Sequence, residues 1–289
     1  LKNVDINAPN PLNLFRISWH NDIKTGGFGD VNCVYLPPEL TGIQSPIYVM
    51  LGKRFPTGCH KVGATFGPLV SRIVTGGFDP QTQKSIWPST GNYCRGGAFN
   101  SALLGCPAIA IMPENVSQER FNWLESIGAE ICKTPGGEDS IKQLFDKSYS
   151  LVAENPGKVV NMNQFEEFAN PLFHYHVTGP AIEEVFEKHK KSDKMRLAAV
   201  CMNQGSAGTI ASGMYLHKKF PHILVGCSEA LQCPTLLNNG YGDHRIEGIG
   251  DKHVPFILNC RDQDVVLAIN DEAAISMFRL FNTPEGHQA

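Results

Sequence analysis

Three short stretches of the 289-residue sequence combine residue types that do chemistry. In Phe55-Pro56-Thr57-Gly58-Cys59-His60-Lys61-Val62-Gly63-Ala64, a lysine follows a turn and opens an apolar helical pattern through Val62, Phe66, Leu69 and Val70. A helix start already presents its backbone N–H groups, so it is a poor place for a cation. A lysine desolvated there has a depressed pKa, and an uncharged amine is what imine formation with an aldehyde requires. Taken alone, the pattern also fits a solvated, inert lysine.

The second stretch, Ser89-Thr90-Gly91-Asn92-Tyr93-Cys94, follows Trp87-Pro88 and opens a helical pattern through Ala98, Leu103 and Leu104. Small hydroxyls, a glycine and an amide at a helix N-terminus form an anion nest fit for a carboxylate; a plain capping turn uses the same residues. The third, Asn203-Gln204-Gly205-Ser206-Ala207-Gly208-Thr209, lies between an apolar run and a helical pattern through Ile210, Met214 and Leu216. Glycine and small residues let the backbone approach a phosphate there. The stretch is neither GxGxxG with a following ribose-binding acid nor GxxxxGK[ST]. A dinucleotide-binding oxidoreductase and a Walker-type nucleotide loop are therefore disfavoured.

The elements that must position these loops alternate between short apolar runs and helical patterns, the signature of a parallel α/β fold. Candidate strands span 47–51, 85–88, 108–112, 130–133, 159–162, 197–202, 223–227 and 265–269. Ser117 is placed to cap a helix with Phe121, Leu124 and Ile127 on one face, ended by Gly128. Ile141, Leu144, Phe145 and Val152 form the stripe of a second helix that stops at Asn155-Pro156-Gly157. A third runs from about Pro180 through Val185 to Lys188-His189-Lys190-Lys191, where positive charge suits a helix C-terminus. The first ~45 residues, rich in Pro, Asn and Gly, read as an extended arm or covering segment. The chain is expected to divide into a smaller domain at 46–167 and a larger one made of 1–45 plus 168–289.

A net charge of −3, with 42% hydrophobic and 18% charged residues, gives no electrostatic footprint for nucleic acid or an anionic membrane. No apolar stretch approaches the ~18 residues of a membrane span, and Leu1-Lys2-Asn3-Val4-Asp5 has no signal-peptide character. Nine cysteines lack CxxC or Cys/His metal spacing. With Cys106, Cys132, Cys201 and Cys227 in apolar runs, they read as reduced core residues of a cytoplasmic protein with no metal site. Cys59 and Cys94 are the nearest to reactive-thiol candidates, and packing is the favoured reading of both.

Together and in this order, the loops resemble the fold-type II pyridoxal-phosphate enzymes: cysteine synthase, cystathionine β-synthase, threonine dehydratase and the tryptophan synthase β-chain. Ser89-Thr90-Gly91-Asn92 resembles that family's substrate loop, and Gly205-Ser206-Ala207-Gly208-Thr209 its phosphate loop. Met112-Pro113-Glu114, Ile127-Gly128-Ala129-Glu130, Asn163-Gln164-Phe165-Glu166, Asn170-Pro171, His174-Tyr175, Thr178-Gly179-Pro180 and Glu247-Gly248-Ile249-Gly250 extend the similarity over most of the chain from residue 47. The resemblance implies two three-layer αβα domains with mostly parallel twisted sheets, a pyridoxal 5′-phosphate cofactor and a homodimer.

It also implies roles. Lys61 forms the internal aldimine. Asn92 bonds the ring 3′-oxygen. Ser89, Thr90, Gly91, Tyr93 and Gln164 hold the carboxylate of a small amino-acid substrate. The amides of Gly205, Ser206, Ala207 and Gly208 and the Thr209 hydroxyl hold the phosphate. The reaction implied is cysteine-synthase-like β-replacement through an aminoacrylate, with Lys61 taking the α-proton. The alternatives are β-elimination of the ammonia-lyase, dehydratase or desulfhydrase type, or a non-catalytic subunit on the same fold.

There are departures. Thr57-Gly58-Cys59-His60-Lys61 is closer to the tryptophan synthase β-chain than to the Ser-Val-Lys type of cysteine synthase. Ser89, however, stands where the tryptophan synthase chain has a glutamate, which disfavours indole chemistry. Tyr93 and Cys94 replace smaller residues and narrow the pocket. His60 lies by the phosphate, or is packed or solvent-facing. Tyr241-Gly242-Asp243-His244 covers the pocket or is a plain surface loop. The resemblance puts the residue facing the pyridine nitrogen beyond Ala289.

Overall fold

The computed structural model describes residues 1–137, 141–240, 242–246, 248–250 and 253–288. Its larger sheet has four parallel strands in the order Glu130–Thr134, Ala108–Pro113, Lys84–Pro88, Val159–Asn161. Side chains alternate across a strand, so this sheet feeds two cores. Trp87, Ala108, Ala110 and Met112 face one way, into a cluster with Ala64, Leu69 and Ala98 of helices Lys61–Thr75 and Asn92–Leu103. Ile86, Ile109 and Ile111 face the other way, onto Leu144 of helix Ile141–Glu154. A strand covered on both faces needs apolar residues at every position, which explains the unbroken Ala-Ile-Ala-Ile-Met run of Ala108–Pro113.

The second sheet has three parallel strands in the order Val265–Ile269, Leu224–Ala230, Ala199–Asn203. One face packs Met202 and Val225 against Leu216 of helix Ile210–Lys219, with Ile182 of helix Gly179–His189 alongside. The opposite face leaves Leu224, Val265, Leu267 and Ile269 exposed. Cys201 lies on that open face and is exposed, which corrects its reading as a core residue: the apolar run around it is two-sided only in sequence. Cys106 and Cys227 are buried and Cys132 is half-buried; all nine cysteines are free.

Each of the eight expected strands is present, with borders shifted by at most three residues. Ile47–Met50 joins neither parallel sheet, however; it pairs antiparallel with Cys33–Leu36 as a separate ribbon. The N-terminal segment is a covering layer. Ile17, Trp19 and Val31 pack with Phe55, Val62, Phe99 and Phe173. The buried Arg16 guanidinium donates to the carbonyls of Leu1, Val4 and Gly26 and so ties the segment to itself.

The three expected helices are Gln118–Ser126, Ile141–Glu154 and Gly179–His189. Ser117 takes the N-cap position with extended backbone, but its hydroxyl makes no capping bond. In the basic run at the end of the third helix, Lys188 pairs with Asp30 of the covering layer. Among the described residues no helix is long and apolar enough to cross a membrane.

Candidate active site

Lys61 is the first residue of helix Lys61–Thr75, directly after the N-cap His60. The helix that follows the 89–91 loop, Asn92–Leu103, packs tightly against it. A Cβ on Gly96 would stand 3.0 Å from the Lys61 carbonyl oxygen and from the Val62 amide. The fully buried Asn100 donates through Nδ2 to the Val62 carbonyl (2.7 Å) and to Thr65 Oγ1 (2.8 Å). Buried polar groups must be paired, so these bonds fix the register between the two helices. Lys61 and the 89–94 loop are thereby held in one frame.

The Lys61 amine then joins segments far apart in sequence. Its Nζ donates to Gln164 Oε1 at 3.0 Å and to Ser206 Oγ at 3.3 Å, and stands 5.9 Å from the Tyr93 ring centroid. Asn170, completely buried, ties the same two segments from behind: Nδ2 donates to the Gln164 carbonyl (3.0 Å) and to Ser206 Oγ (3.2 Å). Lys61, Ser89, Thr90, Gly91, Asn92, Tyr93, Gln164 and Gly205, Ser206, Ala207, Gly208 and Thr209 all line one cleft. The structure brings together every residue to which the sequence reading gave a catalytic, cofactor or substrate role.

The two loops present unused donors. Among the described residues, no acceptor is found for the backbone N–H groups of residues 205–209, which run into the N-terminus of helix Ile210–Lys219, or for those of Thr90, Asn92 and Tyr93. Ala207 adopts φ +67, the left-handed conformation that turns successive amides to one side. The backbone crowds behind this loop: a Cβ on Gly205 would lie 2.7 Å from the Gly248 carbonyl, and one on Gly208 2.3 Å from Asn170 Oδ1. Gly250 N–H donates to the Gln204 carbonyl (3.0 Å), seating the 248–250 segment against it. A row of free amides at a helix start is an anion site. With a lysine amine 3.3 Å from the hydroxyl of Ser206 in that row, the residues present fit a molecule with a phosphate at one end and an aldehyde near the other. Tyr241 and Glu247, which the sequence also singled out, lie outside the described residues.

Tyr93 is turned inward, its side chain 1% exposed, ring edge against Trp87 and hydroxyl unpartnered. It narrows the floor of the cleft, with the Lys61 amine over its ring. The neighbouring thiols are protonated at neutral pH: burial pushes Cys94 up to about 12 and raises Cys59, which the Lys61 backbone and charge offset only in part.

His60 stacks on Trp19 (centroids 6.1 Å) and meets His174 edge-on (5.5 Å). Burial, then the nearby Lys61 charge, lowers its pKa to about 4; burial likewise holds His174 well below the usual histidine range. Thr178 Oγ1, which accepts from the Trp19 indole (3.0 Å), is 3.0 Å from His174 Nδ1. The neutral His174, on a π-helical turn at His174–Thr178, and the pin formed by Asn170 are site features that local sequence pattern did not identify. Asn170 and His174 showed only as parts of a longer resemblance, and nothing local marks Trp19.

A family model described as pyridoxal-phosphate dependent enzyme matches residues 24–288. A probable cysteine synthase of Bacillus subtilis is 32% identical over 259 residues, covering 89% of this chain and 81% of that protein. A cysteine synthase of Staphylococcus aureus is 34% identical over 241 residues, covering 83% and 74%. The solved structure of O-acetyl serine sulfhydrylase isoform 3 from Entamoeba histolytica superposes with a TM-score of 0.80 at 24% identity, covering 98% of this chain and 81% of that one, and so shares the fold. The matched segment includes the cleft that joins a lysine amine to a row of free amides, and the chain belongs to the pyridoxal-phosphate dependent enzyme family.

Proposed function

We propose that the protein catalyses replacement of the β-substituent of a small amino acid, the reaction class of the cysteine synthases it is similar to. The observation that carries this is the Lys61 amine bonded at once to Gln164 and Ser206. Lys61 holds the cofactor's aldehyde carbon. The amides of Gly205, Ser206, Ala207 and Gly208 and the Thr209 hydroxyl hold its phosphate, and the Asn92 carboxamide its 3′-oxygen. Ser89, Thr90, Gly91 and Gln164, with the backbone N–H of Tyr93, hold the substrate α-carboxylate at the start of helix Asn92–Leu103.

When bound, pyridoxal phosphate supplies an electron sink for the charge that develops at the substrate Cα. Everything else is done by the chain. The carboxylate grip orients the Cα–H bond, and the Lys61 Nζ takes and returns the proton there. Gln164 Oε1 and Ser206 Oγ accept from the amine and keep it within reach. The packed floor of Trp87 and Tyr93 excludes water from below.

The two separate parallel sheets support a division into a 46–167 domain and one made of 1–45 plus 168–289. Nine unpaired cysteines support a cytoplasmic location. Exposed Val34, Tyr35 and Val49 on the N-terminal ribbon support a homodimer, which sedimentation would read.

The test is turnover of a panel of β-substituted L-amino acids with sulfide or another thiol. The expected product is the replaced amino acid, formed by wild type and not by Lys61→Ala. Release of only keto acid and ammonia, or no turnover by protein that carries the cofactor, would overturn the proposal.

A further inference from the structure

Arg95 occupies an unusual place. It lies in the first turn of helix Asn92–Leu103, three residues after Asn92 and so on the same face, and it lines the same cleft as Lys61 and Cys59. Its guanidinium sits 4.3 Å over the Trp123 ring. Among the described residues its side chain makes no hydrogen bond or ion pair, and its Nε is buried without a partner. Cys59, two residues before Lys61, lies close enough for Arg95 and Lys61 both to act on its thiol.

Three costs coincide at this side chain. A cation in the first turn of a helix opposes the dipole. Burial is the main influence against its charge, and Glu119 offsets it only in part. Guanidinium N–H donors in a cleft wall need acceptors. Arg120 does not compete for the same space: it donates to the Thr90 carbonyl (3.1 Å) and braces the substrate loop. A guanidinium in the wall of the cleft that Lys61 also lines, its Nε–H without an acceptor among the described residues and apart from the amides that would take the α-carboxylate, matches a planar carboxylate or a phosphate.

We propose that Arg95 is a specificity-determining residue that receives a negatively charged β-substituent of the amino-acid substrate, whether that group is the one that leaves or the one that arrives. The inference rests on the proposed β-replacement reaction and names its substrate class: amino acids with a second anion, a phosphate ester or a carboxylate, beyond the α-carboxylate. Trp123 forms the aromatic backing of the anion pocket.

The experiment compares O-phospho-L-serine with the uncharged O-acetyl-L-serine on the cofactor-loaded protein. Affinity is read by calorimetry on Lys61→Ala, which requires no turnover, and kcat/KM on the wild type. Arg95→Met keeps the aliphatic stem on Trp123 and removes only the charge; Arg95→Lys keeps the charge and loses the fork. For wild type, the expected result is at least tenfold tighter binding of the phosphorylated ligand, with a change in tryptophan emission that Trp123→Phe abolishes. Arg95→Met is expected to lose tenfold or more on that ligand and less than twofold on O-acetyl-L-serine, with Arg95→Lys between. Equal affinities of the two ligands, or an equal loss on both in Arg95→Met, would overturn the proposal. Turnover of O-phospho-L-serine without any Arg95 dependence would sink this inference alone. Absence of a Lys61-dependent visible band would instead sink the reaction reading.

Discussion

Gly208→Ala is the sharpest probe of how the proposed phosphate loop is built. The added methyl would lie 2.3 Å from Asn170 Oδ1 and within 3 Å of the other two carboxamide atoms nearest it, closer than real contacts come. The side chain that must yield is completely buried and held by two hydrogen bonds, to the Gln164 carbonyl and to Ser206 Oγ. Displacing it costs both bonds, about 1 kcal/mol each net, within the ~1–3 kcal/mol usual for overpacking.

The displaced carboxamide is the pin between Gln164 and Ser206, so the loss also appears in cofactor affinity. About 2 kcal/mol corresponds to a more than tenfold weaker Kd. Denaturant unfolding of the apoprotein reads the first quantity and pyridoxal-phosphate titration the second. Adding Asn170→Ala removes the obstacle, so the double variant should be less destabilised than the sum of the singles by roughly 1 kcal/mol. If Gly208→Ala leaves stability within ~0.5 kcal/mol and cofactor affinity within twofold, the tight backing of the loop by Asn170 is refuted.

Two further outcomes follow from the same geometry. His60 titrates at about 4 in the folded chain against 6.5 unfolded, so between these values the unfolded state binds more protons. Stability is intact above pH 6.5 and falls as pH drops toward 4, by up to about 3 kcal/mol. His60→Gln should flatten this slope in chemical unfolding measured across pH, and an unchanged slope would contradict it. Gln164→Ala removes a substrate-facing amide and an acceptor of the Lys61 amine; its KM for the amino acid should rise at least tenfold with cofactor affinity nearly kept. A loss confined to cofactor binding would reassign Gln164.

The loops that the structure gathers into one cleft were legible in the sequence because each sits where an apolar run gives way to a helical pattern. Lys61, Ser89 to Asn92 and residues 205–209 carry their chemistry in local residue types, and local chemistry determines the turn. What holds those groups together was not legible. Asn170 and Asn100 are polar residues inside helical stretches, and only the contacts across helices show that they are pins. The antiparallel ribbon of Ile47–Met50 with Cys33–Leu36 was hidden because an isolated apolar run does not name its partner. Cys201 looked buried because its neighbours are apolar, yet the exposure of a strand position is set by what covers the sheet face. Tyr93 showed as a substituted loop residue; that its bulk points inward, to the cleft floor, needed the packing against Trp87.

The central claim is that one amine, Lys61 Nζ, bears the cofactor. Borohydride reduction of the loaded protein followed by peptide mass spectrometry reads this directly. The account predicts a single phosphopyridoxyl adduct on the peptide containing Lys61, absent from Lys61→Ala. An adduct on another lysine, or an unchanged visible band in Lys61→Ala, would contradict it.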